Sequence, residues 1–540
     1  RLQQAGILPV LKALASLNYL PEYVVKQLRS DYLFLRKQEH VLQEYADQQT
    51  HEIPEDDTGR LRVSLAMGYA DWSGFSAQLV RHRRHVSEHF EQIMAAPQSE
   101  PDDEQQVFWR QVWDDLDSDE AEKILNAQGY EGGEVIRLLK VTRAAGFYRY
   151  LSQTGKHRFD QLIPLLLGAN TLGHRSRRGP SAEIAPGVAQ ADASRNSSPI
   201  PGVGVSQATE SLRRCLTIVQ SIAQRTAYVA LLIENPLALS QLVKLASASA
   251  WIAEVISQHP ILLDELLDPR QLYKPLSRTD MQRQLSESLA FVAGDDLEQW
   301  METLRQFKQV NVLRVAAADI SGALPLMRVS DHLTHIAELA LEQCLQAATA
   351  YMQEKHGRPM FEAQGQPQEA EFIIVAYGKL GGIELGYGSD LDLVFIYDSR
   401  GEQQQSDGPV SLENSVYFAR LAQRLLHLLG ARTPGGILYE VDVRLRPDGK
   451  AGMLVSSLQQ FSDYQRERAW IWEHQALVRA RPIAGHAKLR QQFQNLRTQI
   501  LCKQREPGVL LAEVRAMRHR LSTVKTQISE KAFDLKSGQG

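Results

Sequence analysis

Two aspartates separated by one residue stand at the start of an apolar segment. Asp390 precedes the run LDLVFIY, which contains Asp392 and has the length and residue types of a strand. Side chains two apart on a strand project from the same face, so the two carboxylates are predicted to lie side by side. Neighbouring carboxylates repel each other unless a divalent cation neutralises them, and their hard oxygen ligands suit Mg²⁺. The pair therefore predicts a magnesium site.

A third carboxylate, Asp442, lies in a segment that alternates with period two, Ile437–Leu445. If this segment is a strand, Asp442, Arg444 and Arg446 share the face opposite the core. Three carboxylates and two guanidiniums suit two-metal phosphoryl transfer, in which the cations lie about 3.5 to 4 Å apart. We therefore predict that Asp390, Asp392 and Asp442 are the catalytic residues and the metal ligands.

Simpler interpretations of these residues exist. A lone Asp-x-Asp is more often a solvated strand edge than a metal site. Arg444 and Arg446 can instead form salt bridges to Glu440 or Asp442. The convergence of all these groups on one side of one sheet favours the metal site.

A glycine-rich segment leads from one predicted strand, Phe372–Tyr377, to the Asp-Leu-Asp strand. Its glycines allow close backbone approach, and such loops can present amide groups to phosphate. It is neither a Walker A loop nor a complete GxGxxG fingerprint. Lys379 is as readily a solvated loop lysine as a phosphate contact. We predict nucleotide binding by six residues: Gly378, Lys379, Gly388, Ser389, Arg444 and Arg446.

The composition excludes several classes of protein. Among 540 residues, 60 Lys and Arg face 64 Asp and Glu, so the net charge of -4 provides no general attraction to nucleic acid or to anionic membranes. Charged residues interrupt every apolar run before it could span a bilayer. The three cysteines are too widely spaced for a disulfide framework or a CxxC metal site. We expect a cytoplasmic protein with no nucleic-acid partner and no membrane segment.

The chain is predicted to be multidomain and mainly α, with one α/β domain. Residues 1–95 have the pattern of a helical bundle, and 96–170 that of an acidic hinge followed by a helical connection. Residues 171–207 are rich in Gly, Pro and Ser and are predicted to be a disordered linker. Helices follow over 208–357, the α/β domain over 358–500, and the start of a further helical domain over 501–540. We expect only helices after Trp470, and a helix at Ser415–Leu429 inside the α/β domain.

Histidines at helical spacing form a second cluster of metal-ligand residue types. His82, His85 and His89 fall on one helical face, but the arginines between and beside them favour a solvated basic face over a metal site. The pair His332 and His335 has the same spacing and is interpreted in the same way.

Gly378 and Lys379, ten further residues, Asp390-Leu391-Asp392 and the later Asp442 together resemble the DNA polymerase β nucleotidyltransferase superfamily. Longer strings, such as GGILYEVDVRLRPDGKAGMLVSS and WIWEHQALVRARPIAG, resemble the bifunctional glutamine synthetase adenylyltransferase/adenylyl-removing family, in its C-terminal, adenylyltransferase half. The resemblance covers nearly all of the chain except the linker.

The resemblance implies a polymerase β-like domain over 358–500 that uses ATP and two Mg²⁺ ions. It implies transfer of AMP to a tyrosine of glutamine synthetase, which regulates nitrogen assimilation, with a PII-type nitrogen signalling protein as a second partner. Residues 1–95 would be the helical end of a first, adenylyl-removing half, and 208–357 the helical start of the adenylyltransferase half. We expect a fragment cut at both ends, without the adenylyl-removing active site.

Two alternative functions remain open from the sequence. A nucleotidyltransferase that acts on a small molecule or an RNA end would use the same three aspartates, although a net acidic chain suits a protein substrate better. An inactive regulatory scaffold predicts a broken triad, whereas all three aspartates are present.

Overall fold

The computed structural model of the chain describes residues 7–16, 22–46, 53–54, 56–94, 103–177, 206–294 and 296–524. Most of the linker predicted at 171–207, part of the acidic hinge and residues 525–540 lie outside this range. The chain divides into two compact units, 1–275 with 316–323 and 276–315 with 324–540. The domain boundaries predicted from the sequence stay predictions.

The first unit consists of helices and turns in its described part. In chain order its helices are α1 Ile7–Ser16, α2 Glu22–Ala46, α3 Asp57–Met67, α4 Trp72–Met94, α5 Asp103–Asp114, α6 Asp119–Ala127, α7 Gly132–Ala144, α8 Gly146–Arg149, α9 Gln153–Arg177, α10 Gln207–Ile222, α11 Thr226–Glu234, α12 Pro236–Ala248, α13 Ala250–Gln258, a 3₁₀ helix at Pro260–Leu267, and α14 Pro269–Leu272.

Local capping fixes where the helices of this unit begin and end. The Asp56 carboxylate accepts a hydrogen bond from the Gly59 amide at 2.8 Å and starts α3. Gly68 ends α3 with φ of +92°, a conformation that glycine adopts without strain. Helices α2, α3 and α4 then pack around a small core that includes Val63 and Phe75. These contacts place α2 beside α4.

The second unit combines helices with two small sheets. Its elements are α15 Arg278–Ala290, α16 Leu297–Ile320, α17 Leu326–His356, β1 Pro359–Ala363, β2 Gln366–Glu369, β3 Glu371–Ala376, α18 Gly378–Gly381, β4 Leu391–Asp398, β5 Glu402–Ser406, α19 Asn414–Gly430, β6 Val441–Asp442, a 3₁₀ helix at Gly449–Ala451, β7 Val455–Ser457, α20 Leu458–Glu467, α21 Ile471–Leu477, β8 Arg481–Gly485, α22 Ala487–Leu501 and α23 Pro507–Val524. The division between the units falls within α16.

The larger sheet has the strand order β6-β4-β3-β8, with β7 also paired to β4, and a smaller sheet has the order β2-β1-β5. Strand β4 runs antiparallel to β3 and parallel to β6. The register of the parallel pair sets Asp392 directly beside Asp442. The sheet thus brings together two carboxylates that are far apart in sequence.

Both faces of this sheet are covered, which explains why β3 and β4 are apolar without alternation. One face, which includes Ile374 and Phe395, packs with α17 and α19. The other face, which includes Ile373 and Val394, packs with Phe461 of α20 and with α22. The predicted strands at Phe372–Tyr377 and Leu391–Tyr397 and the predicted helix at Ser415–Leu429 are confirmed.

Two predictions of secondary structure are wrong. The segment Ile437–Leu445 contains a strand of only two residues, β6, because Leu438 and Tyr439 are both buried and the chain turns after Val443. The chain after Trp470 is not all helical, since β8 adds to the edge of the sheet beside β3.

No single helix in the described ranges is long and apolar enough to cross a membrane. Helices α11 and α12 meet that test of length and composition only as a pair, and the pair is bent by 101°.

Candidate functional site

Three carboxylates converge where β4 and β6 begin their parallel pairing. Asp390 is exposed just before β4, and Asp392 and Asp442 are half-buried on the paired strands. One carboxylate oxygen from each residue lies within 4.8 Å of the others. The structure therefore assembles the predicted triad, and a divalent cation fits the chemistry of these oxygen donors.

Arg444 is the counter-ion of this cluster. Its Nε donates to Asp442 Oδ2 at 2.7 Å, and its backbone amide donates to Asp442 Oδ1 at 2.8 Å. The hydrogen bond from the Arg444 side chain is the main reason why the pKa of Asp442 lies below its usual value. Asp442 raises the pKa of Arg444 in turn, and Asp390 and Asp392 add to that increase. Arg444 thus favours the ionised form of Asp442.

Arg446 acts on the backbone of the turn that follows β6. Its guanidinium donates to the carbonyls of Val443 at 2.7 Å and Gly452 at 3.2 Å. Because the strand ends at Asp442, the prediction that Asp442, Arg444 and Arg446 share one strand face is wrong. The turn nevertheless brings both arginines to one cleft of about 590 Å³. The cleft is lined by Asp390, Glu440, Val441, Asp442, Val443, Arg444, Arg446 and Lys450.

The glycine-rich segment begins with Gly378, where any side chain would displace the Asp392 carboxylate. Gly378 has φ of +54°, and a Cβ built there would lie 2.0 Å from Asp392 Oδ2. Gly381 is equally constrained, since its Cβ would lie 2.0 Å from the carbonyl oxygen of Arg479. The segment therefore packs its backbone directly against the Asp392 carboxylate.

Other predicted nucleotide-binding residues form a small polar group on this segment. The Lys379 ammonium, which is exposed, donates to Ser389 Oγ at 3.3 Å, and the Gly386 amide donates to the same oxygen at 3.1 Å. Gly388 is exposed, and open space surrounds the position of its missing Cβ. Lys379, Gly388 and Ser389 do not line the cleft around Asp442. Their role with a phosphate stays a prediction.

Helix α16 holds the loop that leads into β6, a contribution that the sequence analysis missed. Arg305 is 1% exposed, and its Nε donates to the carbonyl of Gly436 at 2.8 Å. Its other nitrogens donate to the carbonyls of Met301, Leu428 and Ala431. A buried guanidinium with this many acceptors fixes the path of the loop.

Neighbouring residues of α16 extend this contact along the loop. Lys308 donates to the carbonyl of Leu438 at 2.5 Å and lies over the ring of Tyr439, and burial lowers its pKa to about 8. Glu302 accepts hydrogen bonds from Thr433 Oγ1 and from the Gly435 amide. Residues 302, 305 and 308 recur every three positions, so they share a helical face. This spacing of charged residues along one helical face was the sequence signal that could have indicated the contact.

An ion pair to a buried carboxylate supports the glycine-rich segment. Glu338 on α17 is 3% exposed and forms an ion pair with Arg481 of β8, with Oε1 2.6 Å from Nη1. The same guanidinium donates to the carbonyls of Gly381 at 3.2 Å and Leu380 at 3.1 Å. Arg481 thereby ties the turn after Gly378 to a buried carboxylate.

Comparison with protein families places this geometry in context. The model of the glutamate-ammonia ligase adenylyltransferase family matches residues 239–496, which include the whole acidic cluster. The model of the GlnD PII-uridylyltransferase family matches residues 2–94.

Curated relatives match the chain over its length. It is 47% identical to a protein of Thioalkalivibrio sulfidiphilus and 45% identical to one of Nitrosococcus oceani, with 100% of the chain and 53% of each relative covered. It is 41% identical to a protein of Pseudomonas syringae, with 96% and 50% covered. All three are named bifunctional glutamine synthetase adenylyltransferase/adenylyl-removing enzyme. The chain is thus similar to this family over its length and spans about half the length of the curated relatives it matches.

The close approach of Gly378 to Asp392 yields a first test. We expect Gly378→Ala to weaken Mg²⁺ binding by about 10- to 100-fold, because the new methyl group displaces a carboxylate of the cluster. Calorimetric titration with Mg²⁺ measures this change. Gly430→Ala is the matched control, since its Cβ meets open space at the end of α19. Equal Mg²⁺ affinity in both variants would contradict the placement of the site.

The loop held by α16 yields a second test. We expect Arg305→Met to lower the free energy of unfolding of the second unit by about 2 to 3 kcal/mol, because buried carbonyls lose their donor. Urea unfolding followed by tryptophan fluorescence measures the loss. Arg328→Met is the control, because the Arg328 side chain is 70% exposed and its ion-pair partner in the described structure is a neighbour on its own helix. A loss no larger than that of the control would show that Arg305 does not stabilise the loop.

Proposed function

We propose that this chain carries an adenylyltransferase centre that moves AMP from ATP to a tyrosine hydroxyl of glutamine synthetase, and so regulates nitrogen assimilation. The observation that carries the proposal is the convergence of Asp390, Asp392 and Asp442 within the region matched by the adenylyltransferase family model. The names of the curated relatives support the same activity. A polymerase β-like nucleotidyltransferase fold for the sheet domain is part of this proposal.

Mg²⁺ is the expected metal, and the residues fit it. The cluster offers carboxylate oxygens alone, which is the donor set of a hard divalent cation. Asp390, Asp392 and Asp442 would hold the metal. Bound there, Mg²⁺ would neutralise phosphate charge and lower the pKa of the attacking hydroxyl.

Two arginines of the chain are placed to bind the negative charge of the phosphates during the reaction. The tyrosine oxygen forms a bond to the α-phosphorus, the bond from that phosphorus to the bridging oxygen breaks, and pyrophosphate leaves. Arg444 and Arg446 line the cleft with the triad and are positioned to bind phosphate oxygens. Arg444 is exposed, so its side chain can turn from Asp442 to a phosphate without losing buried contacts.

Asp442 would hold the metal before it acts as a base. Its pKa is lowered by Arg444, which keeps the carboxylate ionised but makes it a weak proton acceptor. Asp442 becomes a better base for the tyrosine proton once Arg444 moves away to the nucleotide. This order couples nucleotide binding to removal of the proton.

The proposed partners are glutamine synthetase and a PII-type signalling protein. The first is supported by the names of the relatives. The second is supported by the match of residues 2–94 to a family model named for PII-uridylyltransferase. These helices belong to the first unit, whereas the acidic cluster belongs to the second.

Transfer of label from α-phosphate-labelled ATP to glutamine synthetase, with Mg²⁺ present, tests the proposal. We expect Asp392→Asn to reduce transfer by at least about 1000-fold, because a ligand charge is lost where negative charge develops. Thermal stability without metal should hold or rise, since repulsion within the triad is relieved. Asp398→Asn, at the far end of the same strand, should retain near-normal transfer.

Near-normal transfer by Asp392→Asn would overturn the assignment of the acidic cluster. The same assay, run with AMP-modified glutamine synthetase and phosphate, tests the direction of the reaction. We expect no phosphate-dependent release of ADP. Release that disappears in Asp442→Asn would assign the removing activity to this centre instead.

A further inference from the structure

A second cluster of metal-ligand side chains lies in the first unit, far in sequence from the acidic triad. Asp31 comes from α2, and His82 and His85 come from successive turns of α4. Asp31 Oδ1 lies 2.5 Å from His82 Nδ1 and 3.4 Å from His85 Nδ1. One potential ligand atom from each residue lies within 4.8 Å of the others. Two imidazoles and a carboxylate thus meet between two packed helices.

The carboxylate in this cluster is almost completely withdrawn from solvent. Asp31 is 1% exposed, and its Oδ2 has no hydrogen-bond partner among the described residues. A buried carboxylate is costly unless a cation pairs with it and its oxygens are satisfied. Its contacts in the described structure are the two imidazoles, which carry charge only when protonated. The site therefore lacks one positive charge and one partner for Oδ2 whenever both histidines are neutral.

The histidines are not part of the solvated basic face that the sequence suggested. Arg81, Arg83 and Arg84 are exposed, as expected, whereas the side chains of His82 and His85 are each only 16% exposed. The His82 ring stacks on Phe34 at a centroid distance of 4.1 Å, which restricts its orientation. The side chain of His89 lies outside the described residues. The solvated-face interpretation is therefore wrong for His82 and His85.

One of the two donor separations at Asp31 matches the ligand spacing of a tetrahedral transition-metal centre. With metal–ligand bonds near 2.1 Å, two ligands of a tetrahedral ion lie about 3.4 Å apart. Asp31 Oδ1 lies 3.4 Å from His85 Nδ1, which is already this distance. Asp31 Oδ1 lies 2.5 Å from His82 Nδ1 and would have to move about 1 Å away from it when a metal binds. Imidazole nitrogens favour zinc-like ions over Mg²⁺.

We propose that Asp31, His82 and His85 bind a zinc-type dication that links α2 to α4. The metal supplies the positive charge that the buried carboxylate needs, and solvent completes the coordination. Because the ligands come from two helices, binding stabilises the folded first unit. The proposal is independent of the adenylyltransferase centre, whose residues all lie in the second unit.

A second histidine pair provides a matched comparison. His332 and His335 have ring centroids 6.4 Å apart with an interplanar angle of 82°, against 6.3 Å and 80° for His82 and His85. In the described part of the chain, no carboxylate joins that pair to form a three-residue metal-binding group. The two pairs therefore differ in the nearby carboxylate, which the proposal requires as a third ligand.

Titration of the full chain with CoCl₂, in the presence of excess Mg²⁺ to occupy the acidic triad, tests the proposal. A Cys502→Ser background removes the exposed thiol as a competing ligand. We expect one equivalent of Co²⁺ to give visible d–d absorption without a thiolate charge-transfer band. Asp31→Asn and His82→Gln should each weaken binding by about 100-fold, whereas His332→Gln should not.

Thermal unfolding with and without ZnCl₂ provides an independent readout. Zn²⁺ should raise the unfolding midpoint of the parent chain and of His332→Gln, but not that of His82→Gln or His85→Gln. Circular dichroism establishes whether each variant is folded. If Asp31→Asn does not fold, His82→Gln and His85→Gln still test whether metal binding needs these ligands. Absence of a saturable equivalent in the parent chain would overturn the proposal, as would undiminished binding in folded variants.

Discussion

Mutual repulsion among three carboxylates is the constraint on which the second unit depends. Asp390, Asp392 and Asp442 lie within a few ångströms of one another, and such groups stay ionised together only when positive charge is close. Arg444 supplies that charge in the described structure and holds both oxygens of Asp442. The same cluster requires Gly378, because any side chain there would displace Asp392. The close packing of the three carboxylates thus accounts for Arg444 and Gly378 at their positions and depends on the register of β4 and β6.

The supporting structure compensates for a short strand. A ladder of two residues between β4 and β6 provides few hydrogen bonds, so side chains supply the rest of the attachment. Arg305 and Lys308 bind the carbonyls of Gly436 and Leu438 in the loop before β6, and Arg481 binds those of the glycine-rich turn. Burying these cations is costly, and the cost is offset by four carbonyls at Arg305, by a carbonyl and the Tyr439 ring at Lys308, and by a buried carboxylate at Arg481. Long basic side chains therefore hold the loop before Asp442 and the glycine-rich turn that packs against Asp392.

Local pattern was sufficient to predict the strands that are buried on both faces. Apolar runs such as FIIVAY predict strands because their residues and length leave few alternatives, and the helix at Ser415–Leu429 followed from its period. The spatial meeting of Asp392 with Asp442 was also predictable, because it needed only the assumption of a shared sheet. The turn after Asp442 was not, since Arg446 stabilises it through backbone carbonyls that leave no trace in the pattern.

Other features escaped prediction because they depend on tertiary contact. Strand β8 is short and contains a proline and a glycine, so its propensity is weak, and it forms because β3 offers a free edge. Arg305 and Glu302 resemble residues of a solvated helix face until the loop that they bind is known. His82 and His85 stand between arginines, and only the position of Asp31 on another helix distinguishes their buried side from the basic one.

The shortness of β6 has a consequence for motion at the site. The free energy of local opening depends on how many hydrogen bonds and buried contacts must break together. Asp390 and Asp392 are anchored to a strand that is paired along most of its length, whereas Asp442 is anchored to two paired residues and a turn. Amide hydrogens around Asp442 should therefore exchange with solvent much faster than those of β3 and β4. We therefore expect the segment that carries Asp442 to open locally more often than the strand that carries Asp392.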